Sequence, residues 1–221
     1  MDPGWLDIHT ATIDWDDGNT TQGNFTGSNG NYTIIASKAY THTGVYSVRL
    51  TIEDDDDGND SETYLYVVVY DPYGGFVSGS GSFNSPEGSY PSNPTLTGKA
   101  HFGFTSKYQP GIHIPIGNTQ FQFKVADLKF HSNDYIWLVV ADKKAMFTGN
   151  GTINNQGNYG FKISAIDGDL EGGDGLDKFR IKIWDKDNQN TIVYDNMIGY
   201  DENADPTTII ENGGGIIIHK N

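Results

Sequence analysis

Two short stretches hold most of the side chains in this sequence whose types and spacing could do chemistry. In the first, Asp54, Asp55, Asp56, Asp57, Asn59 and Asp60 crowd around Gly58. That is a donor set for calcium, which takes about six to eight oxygen ligands in flexible geometry. The order differs from an EF-hand loop, since no glutamate stands at the twelfth position and no helical pattern flanks the run. In the second, Asp167, Asp169, Glu171, Asp174 and Asp177 are threaded with Gly168, Gly172, Gly173 and Gly175, and Asp185, Asp187 and Asn188 come shortly after. Glycine lets such a loop curl until carboxylates and carbonyls converge. The candidate calcium ligands are therefore Asp54, Asp56, Asp57, Asn59 and Asp60 in one loop and Asp167, Asp169, Asp174 and Asp177 in the other. For both, the plain alternative is a solvated acidic turn.

Catalytic patterns are sparse. The 6 histidines, His9, His42, His101, His113, His131 and His219, are scattered, and none belongs to a His-Glu-x-x-His helix. Ser80 and Ser82 lie in Gly79-Ser80-Gly81-Ser82, which lacks the strand-to-helix context of a nucleophile elbow. Gly149-Asn150-Gly151 and Gly213-Gly214-Gly215 precede no helix that could hold a phosphate and read as turns. Asp16 and Asp17 are adjacent and point apart on a strand, whereas glycosidase carboxylates must face each other. With 0 cysteines there is no thiolate nucleophile, no Cys-ligated zinc and no disulfide framework. Aromatic rings offer a binding chemistry instead, by stacking on sugars. Trp15 and Trp184 sit in alternating strands and read as core, leaving Trp5, Tyr90 and Tyr108 as the candidate exposed platforms.

The elements that would position these residues read as strands throughout. Tyr46, Val48, Leu50 and Ile52 alternate with Ser47, Arg49 and Thr51, the period of a half-buried strand. Across the acidic turn, Leu65, Val67 and Val69 can face a core while Tyr64, Tyr66 and Tyr70 supply β-favouring aromatics on the other side. Before this hairpin, a short strand over 10–15 ends at Asp16-Asp17-Gly18 and leads into a polar run up to Tyr32. Beyond it, short strands recur over 100–105, 119–125, 135–141, 145–149, 157–166, 178–184, 192–194 and 216–218. Phe179, Ile181 and Ile183 there interleave with Lys178, Arg180 and Lys182. The expected fold is all-β, two antiparallel sandwiches in tandem, with the boundary at Asp71-Pro72-Tyr73-Gly74-Gly75. Residues 1–71 carry 13 acidic and 2 basic side chains, net −11; residues 72–221 carry 16 and 12, net −4. An overall charge of −15 argues against nucleic-acid binding, which is built on clustered Lys and Arg. No segment is apolar enough for a membrane-spanning helix.

The stretch Ile13-Asp14-Trp15-Asp16-Asp17-Gly18, taken with Tyr40-Thr41-His42-Thr43-Gly44-Val45-Tyr46-Ser47-Val48 and the acidic loop, resembles the PKD domain. That is an immunoglobulin-like sandwich of bacterial and archaeal surface proteins, some members of which bind calcium. Asp16 stands where glycine is commoner in that motif. The usual first strand or two would precede Asp2-Pro3-Gly4-Trp5, so the resemblance implies a chain that extends upstream and an exposed sheet edge. Residues 74–220 resemble a post-COAP type C-terminal β domain of large secreted bacterial proteins, through Gly98-Lys99-Ala100-His101-Phe102-Gly103-Phe104, Asp177-Lys178-Phe179-Arg180-Ile181-Lys182-Ile183-Trp184-Asp185 and Val193-Tyr194-Asp195-Asn196. The resemblances imply an extracellular or cell-surface setting. The expected function is a non-catalytic module for adhesion, spacing or presentation, stiffened by calcium. It would be monomeric and would face protein or polysaccharide at the cell surface or matrix. The alternative is a carbohydrate- or matrix-binding accessory module of a secreted polymer-degrading enzyme.

Overall fold

A computed structural model describes residues 8–28, 31–73, 75–211 and 213–220. Trp5 lies outside the described residues. The chain divides into two compact units, Met1–Val69 and Tyr70–Asn221, with the division a few residues ahead of the Pro/Gly signal. The described residues are almost entirely strand and turn, with a single 3-10 turn at Lys124–Ala126.

In the smaller unit β1 (His9–Asp14), β2 (Thr20–Gln22), β5 (Gly44–Asp54) and β6 (Asn59–Val69) form an antiparallel sheet in the order β2-β1-β5-β6. A separate ribbon pairs β3 (Asn24–Ser28) with β4 (Asn31–Ile35). These short strands fall in the polar run, where Asn, Thr and Gly hide the apolar alternation that marks strands elsewhere. Ala11 and Ile13 on β1, opposite Ile52 and Leu50 on β5, are buried. Ile34 of the ribbon lies over Gly23, close to Ala11 and Ile13. On β6 the expected inward residue Leu65 is 40% exposed, and Tyr64 is 69% exposed. β6 forms one edge of the sheet and no described strand covers its outer side.

The Asp-Trp-Asp-Asp-Gly corner places an aspartate in a glycine-favouring conformation. Asp16 adopts a left-handed φ of 60°, the conformation that favours glycine. Its carboxylate accepts a hydrogen bond from the Ser47 amide at 2.9 Å, at the point where a bulge between Tyr46 and Val48 interrupts the β5–β6 register. The side chain thus gives the Ser47 amide an acceptor at the bulge.

The larger unit is one antiparallel sheet of nine strands. They are β7 (Phe76–Ser85), β8 (Gly98–Lys107), β9 (Ile116–Phe123), β10 (Leu128–Ala141), β11 (Lys144–Ile153), β12 (Gln156–Ile166), β13 (Lys178–Asp185), β14 (Thr191–Asp195) and β15 (Gly215–His219). Their order is β14-β13-β12-β11-β10-β9-β8-β7-β15. Phe102 on β8 stacks on Phe179 on β13 with ring centroids 3.8 Å apart, and Phe121 on β9 meets Tyr194 on β14 at 4.6 Å. Strands this far apart in the order can touch only if the sheet curls over on itself, enclosing a core of Phe83, Phe102, Phe121, Phe123, Phe130, Phe147, Phe161 and Phe179.

β7 carries no apolar alternation because glycines stand on its inner face. A Cβ at Gly79 would come within 2.7 Å of the Phe104 ring, and one at Gly81 within 2.5 Å of Ile210. Neighbouring rings and branched chains occupy the space. Gly149-Asn150-Gly151, expected as a turn, likewise lies inside β11.

Gly79→Val should therefore destabilise the fold by about 1–3 kcal/mol through overpacking. Gly103→Ala, whose Cβ meets nothing within 4 Å, should be neutral or stabilising. Urea denaturation of the two variants checks this, and equal losses would contradict it.

Candidate functional site

The acidic hairpin loop is built around its own turn. The Asp54 carboxylate accepts hydrogen bonds from the amides of Asp56 at 2.9 Å and Gly58 at 2.8 Å, and the Asp54 amide closes onto the Gly58 carbonyl. Asp57 takes a left-handed φ of 66° at the tip. Asp55 accepts from the Ile8 amide, and Asp60 from the Ser61 amide. Asp56, Asp57, Asn59 and Asp60 are exposed. With Asp54 turned onto its own loop, these side chains do not converge on a common point.

The second loop is organised around the last strand. Asp177 accepts from Gly168 within the loop at 2.8 Å and, through its other oxygen, from the Ile216 amide of β15 at 2.7 Å. Asp167, which is buried, accepts from Asp169 at 3.2 Å and from the Ile218 amide at 3.0 Å. β15 pairs with β7 on one edge, so these carboxylates receive amides on its other edge. Asp174 pairs with Lys178, whose ammonium holds the Asp174 carboxyl below its ordinary pKa. Asp169 is exposed at the surface. Among the described residues no three His, Asp or Glu side chains come together as a ligand group.

Tyr90 and Tyr108 are half-buried against the core rather than exposed. The Tyr108 hydroxyl donates to the Leu138 carbonyl and accepts from the Leu138 amide, each at 3.0 Å, while the ring stacks on Tyr70. Burial raises its pKa to about 12. Trp15 and Trp184 are half-buried too, Trp184 lying over Gly160. Tyr90 and Tyr108, expected as exposed rings, are thus partly buried side chains packed against the core.

A different surface collects unpaired polar groups. Cross-strand pairing aligns His101, Gln122 and Lys129 in one row and Gly103, Gln120 and His131 in the next, across β8, β9 and β10. They line a shallow groove of about 320 Å³ on the face opposite the core, with Gly103 leaving its middle open. Scattered histidines and glutamines gave no sequence signal; only strand register brings them together.

The structure also assembles a cationic row that sequence reading missed. The outward residues of β11, β12 and β13 include Lys144, Lys162, Arg180 and Lys182, and the segment 196–211 crosses over them. Arg180 makes a two-pronged pair with Asp195 at 2.9 and 3.1 Å, both side chains being buried, and its guanidinium also donates to the carbonyls of Asp201 and Met197. Lys144 donates to the Asn203 carbonyl and pairs with Asp205, and Lys182 pairs with Glu202. Lys162, 5% exposed, donates to the Glu202 carbonyl at 2.8 Å and the Asn203 side-chain oxygen at 3.0 Å. Burial drives its pKa down to about 8, with Arg180, Lys144 and Lys182 adding to the fall and Glu202 opposing it. The Lys178-Arg180-Lys182 alternation signalled an outward face; nothing in the sequence showed that face to be covered.

No family model matches the chain, and comparisons with curated proteins and solved structures give no significant match. The resemblances to PKD and post-COAP domains rest on the motifs quoted above. No described helix is long and apolar enough to cross a membrane.

Asp177→Ala should cost about 3 kcal/mol or more, because two amides lose a charged acceptor. It should also speed hydrogen exchange at Ile216. Asp169→Ala should stay within about 0.5 kcal/mol of the parent, as an exposed site. With Asp54, Asp167 and Asp177 already accepting backbone donors, the melting temperature should be unchanged between chelator and a calcium titration. A rise abolished by Asp56→Ala/Asp57→Ala or by Asp169→Ala/Asp174→Ala would place an ion in the corresponding loop.

Proposed function

We propose that the chain is a non-catalytic extracellular module in which the smaller unit spaces and the larger unit presents. The observation that carries this reading is how the first and last described strands of each unit are paired. In the smaller one, His9 pairs with Asp54 at one end of the sheet and Val69 pairs with Gly44 at the other. The 11 residues of β5 separate those ends by about 33 Å at the usual strand rise. A spacer has to keep its ends apart in this way. In the larger unit Phe76 pairs with His219, and their rings stack at 4.0 Å. Its first and last strands lie side by side, which suits a unit that presents a surface.

A second reading, a carbohydrate-binding accessory module, is favoured by the groove on β8, β9 and β10. Among the described residues the side chains of His101, Gln120, Gln122, Lys129 and His131 have no hydrogen-bond or ion-pair partner. Planar amides and imidazoles on a rigid sheet suit the paired hydroxyls of a sugar, which need both donors and acceptors.

Incubation of the full chain with insoluble polysaccharides and matrix proteins separates the possibilities. Retention without release of reducing ends or peptides is the expected result, and turnover of any polymer would overturn the non-catalytic reading. If the groove is the contact, Gln120→Ala/Gln122→Ala should weaken glycan retention about tenfold or more, as hydrogen bonds of about 1 kcal/mol each are lost. Undiminished retention would assign binding elsewhere.

A further inference from the structure

Lys162 is a primary amine sunk into the outer face of a sheet, and it faces a carboxamide and a carboxylate. Its Nζ lies 3.0 Å from Asn203 Oδ1 and 4.0 Å from a Glu202 carboxylate oxygen. We propose that these three residues form a self-processing site that joins Lys162 to Asn203 through an intramolecular isopeptide bond.

The step needs no cofactor and no oxidant. The uncharged amine of Lys162 attacks Asn203 Cγ, forming the Nζ–Cγ bond. The proton it sheds passes to the Glu202 carboxylate and from there to Nδ2, so that the Cγ–Nδ2 bond breaks and ammonia leaves. Electrons and atoms balance as amine plus carboxamide giving secondary amide plus ammonia. Three features of the surroundings favour this. An amine with a pKa of about 8 is uncharged in about a tenth of molecules near pH 7, against very few for an exposed lysine. Glu202 is held by Lys182, which keeps its carboxylate beside the amine. The Lys144 ammonium, 2.8 Å from the Asn203 backbone carbonyl, holds that residue in place against the sheet.

The bond would fix a segment that has little else covalent to hold it. Between β14 and β15 the described residues form no regular strand, and with 0 cysteines the chain has no disulfide. A Lys162–Asn203 link would anchor that crossing segment to β12, and the gain would come chiefly from restricting the unfolded chain, as it does for other cross-links.

Denaturing intact-mass spectrometry of the full chain tests the proposal. The expected mass is lower than the sequence mass by one ammonia, and fragmentation of a protease digest should give a branched peptide joining Lys162 to Asn203. Lys162→Ala and Asn203→Ala should each restore the full sequence mass. Asn203→Asp should regain the same branched peptide through loss of water, and Glu202→Ala should leave most chains unlinked. An Asn-Gly pair such as Asn150-Gly151 can also lose ammonia by cyclising. A deficit that survives Lys162→Ala and yields no branched peptide would therefore count against the link. Folded parent chain at its full sequence mass would overturn it.

Discussion

The larger unit depends on its sheet bending far enough to lay β13 and β14 over β7, β8 and β9. Without that bend Phe102 and Phe179 would each face water. With it they stack, and each buried phenyl group contributes about 2–3 kcal/mol of transfer free energy. Small residues and irregularities make the bend tolerable. β10 carries bulges between Ser132 and Asp134 and between Tyr135 and Trp137. Opposite them a Cβ at Gly149 would lie 2.1 Å from the Asp134 carbonyl oxygen, and one at Gly151 would lie 2.3 Å from that of His131. Side chains are excluded where the strands approach most closely, and the local twist increases there.

Curling solves one problem and leaves another, because an open sheet still has two edges. At β15 the outer edge is met by carboxylates instead of a neighbouring strand. Asp167 and Asp177 accept the amides of Ile218 and Ile216, and Asp177 ties the loop to itself through Gly168. A charged acceptor binds an amide more strongly than a carbonyl does. Two side chains therefore stand in for part of a missing ladder. On the outer face the Arg180 guanidinium fixes the crossing segment through backbone carbonyls as well as through Asp195, so its path does not rest on side-chain pairs alone. The net charge of −4 over 72–221 hides this pairing of a cationic sheet face with an acidic cover.

Strands with apolar alternation, such as β9 and β13, were legible in the sequence, as was the all-β character of the chain. β7 was not, because its inner positions Gly79 and Gly81 are filled by residues from elsewhere. The ribbon β3–β4 was hidden in the same way by polar composition. The acidic loops were found by residue type, yet the partners that define their roles lie 39 residues from Asp177 and 51 from Asp167, beyond any local pattern. Tyr108 looked like a surface ring because its flanking residues are polar; the Leu138 backbone that engages its hydroxyl is 30 residues away. Lys162 and Asn203 stand 41 apart, and only the path of the crossing segment brings them together.

The side-by-side ends of the larger unit also determine how it would respond to tension. Force applied at Phe76 and His219 acts across the β7–β15 pair at its very end. The β7–β15 ladder would then peel open one rung at a time, with the Asp167–Ile218 and Asp177–Ile216 bonds on the other edge of β15 resisting in turn. In the smaller unit force between His9 and Val69 runs along the strands, so the β1–β5 and β5–β6 rungs share the load in shear. Peeling of β15 would proceed until it met the segment clamped by Arg180, Lys144 and Lys162. The two units thus differ in how force would load them, in shear along β1, β5 and β6 in one and by peeling of β15 in the other.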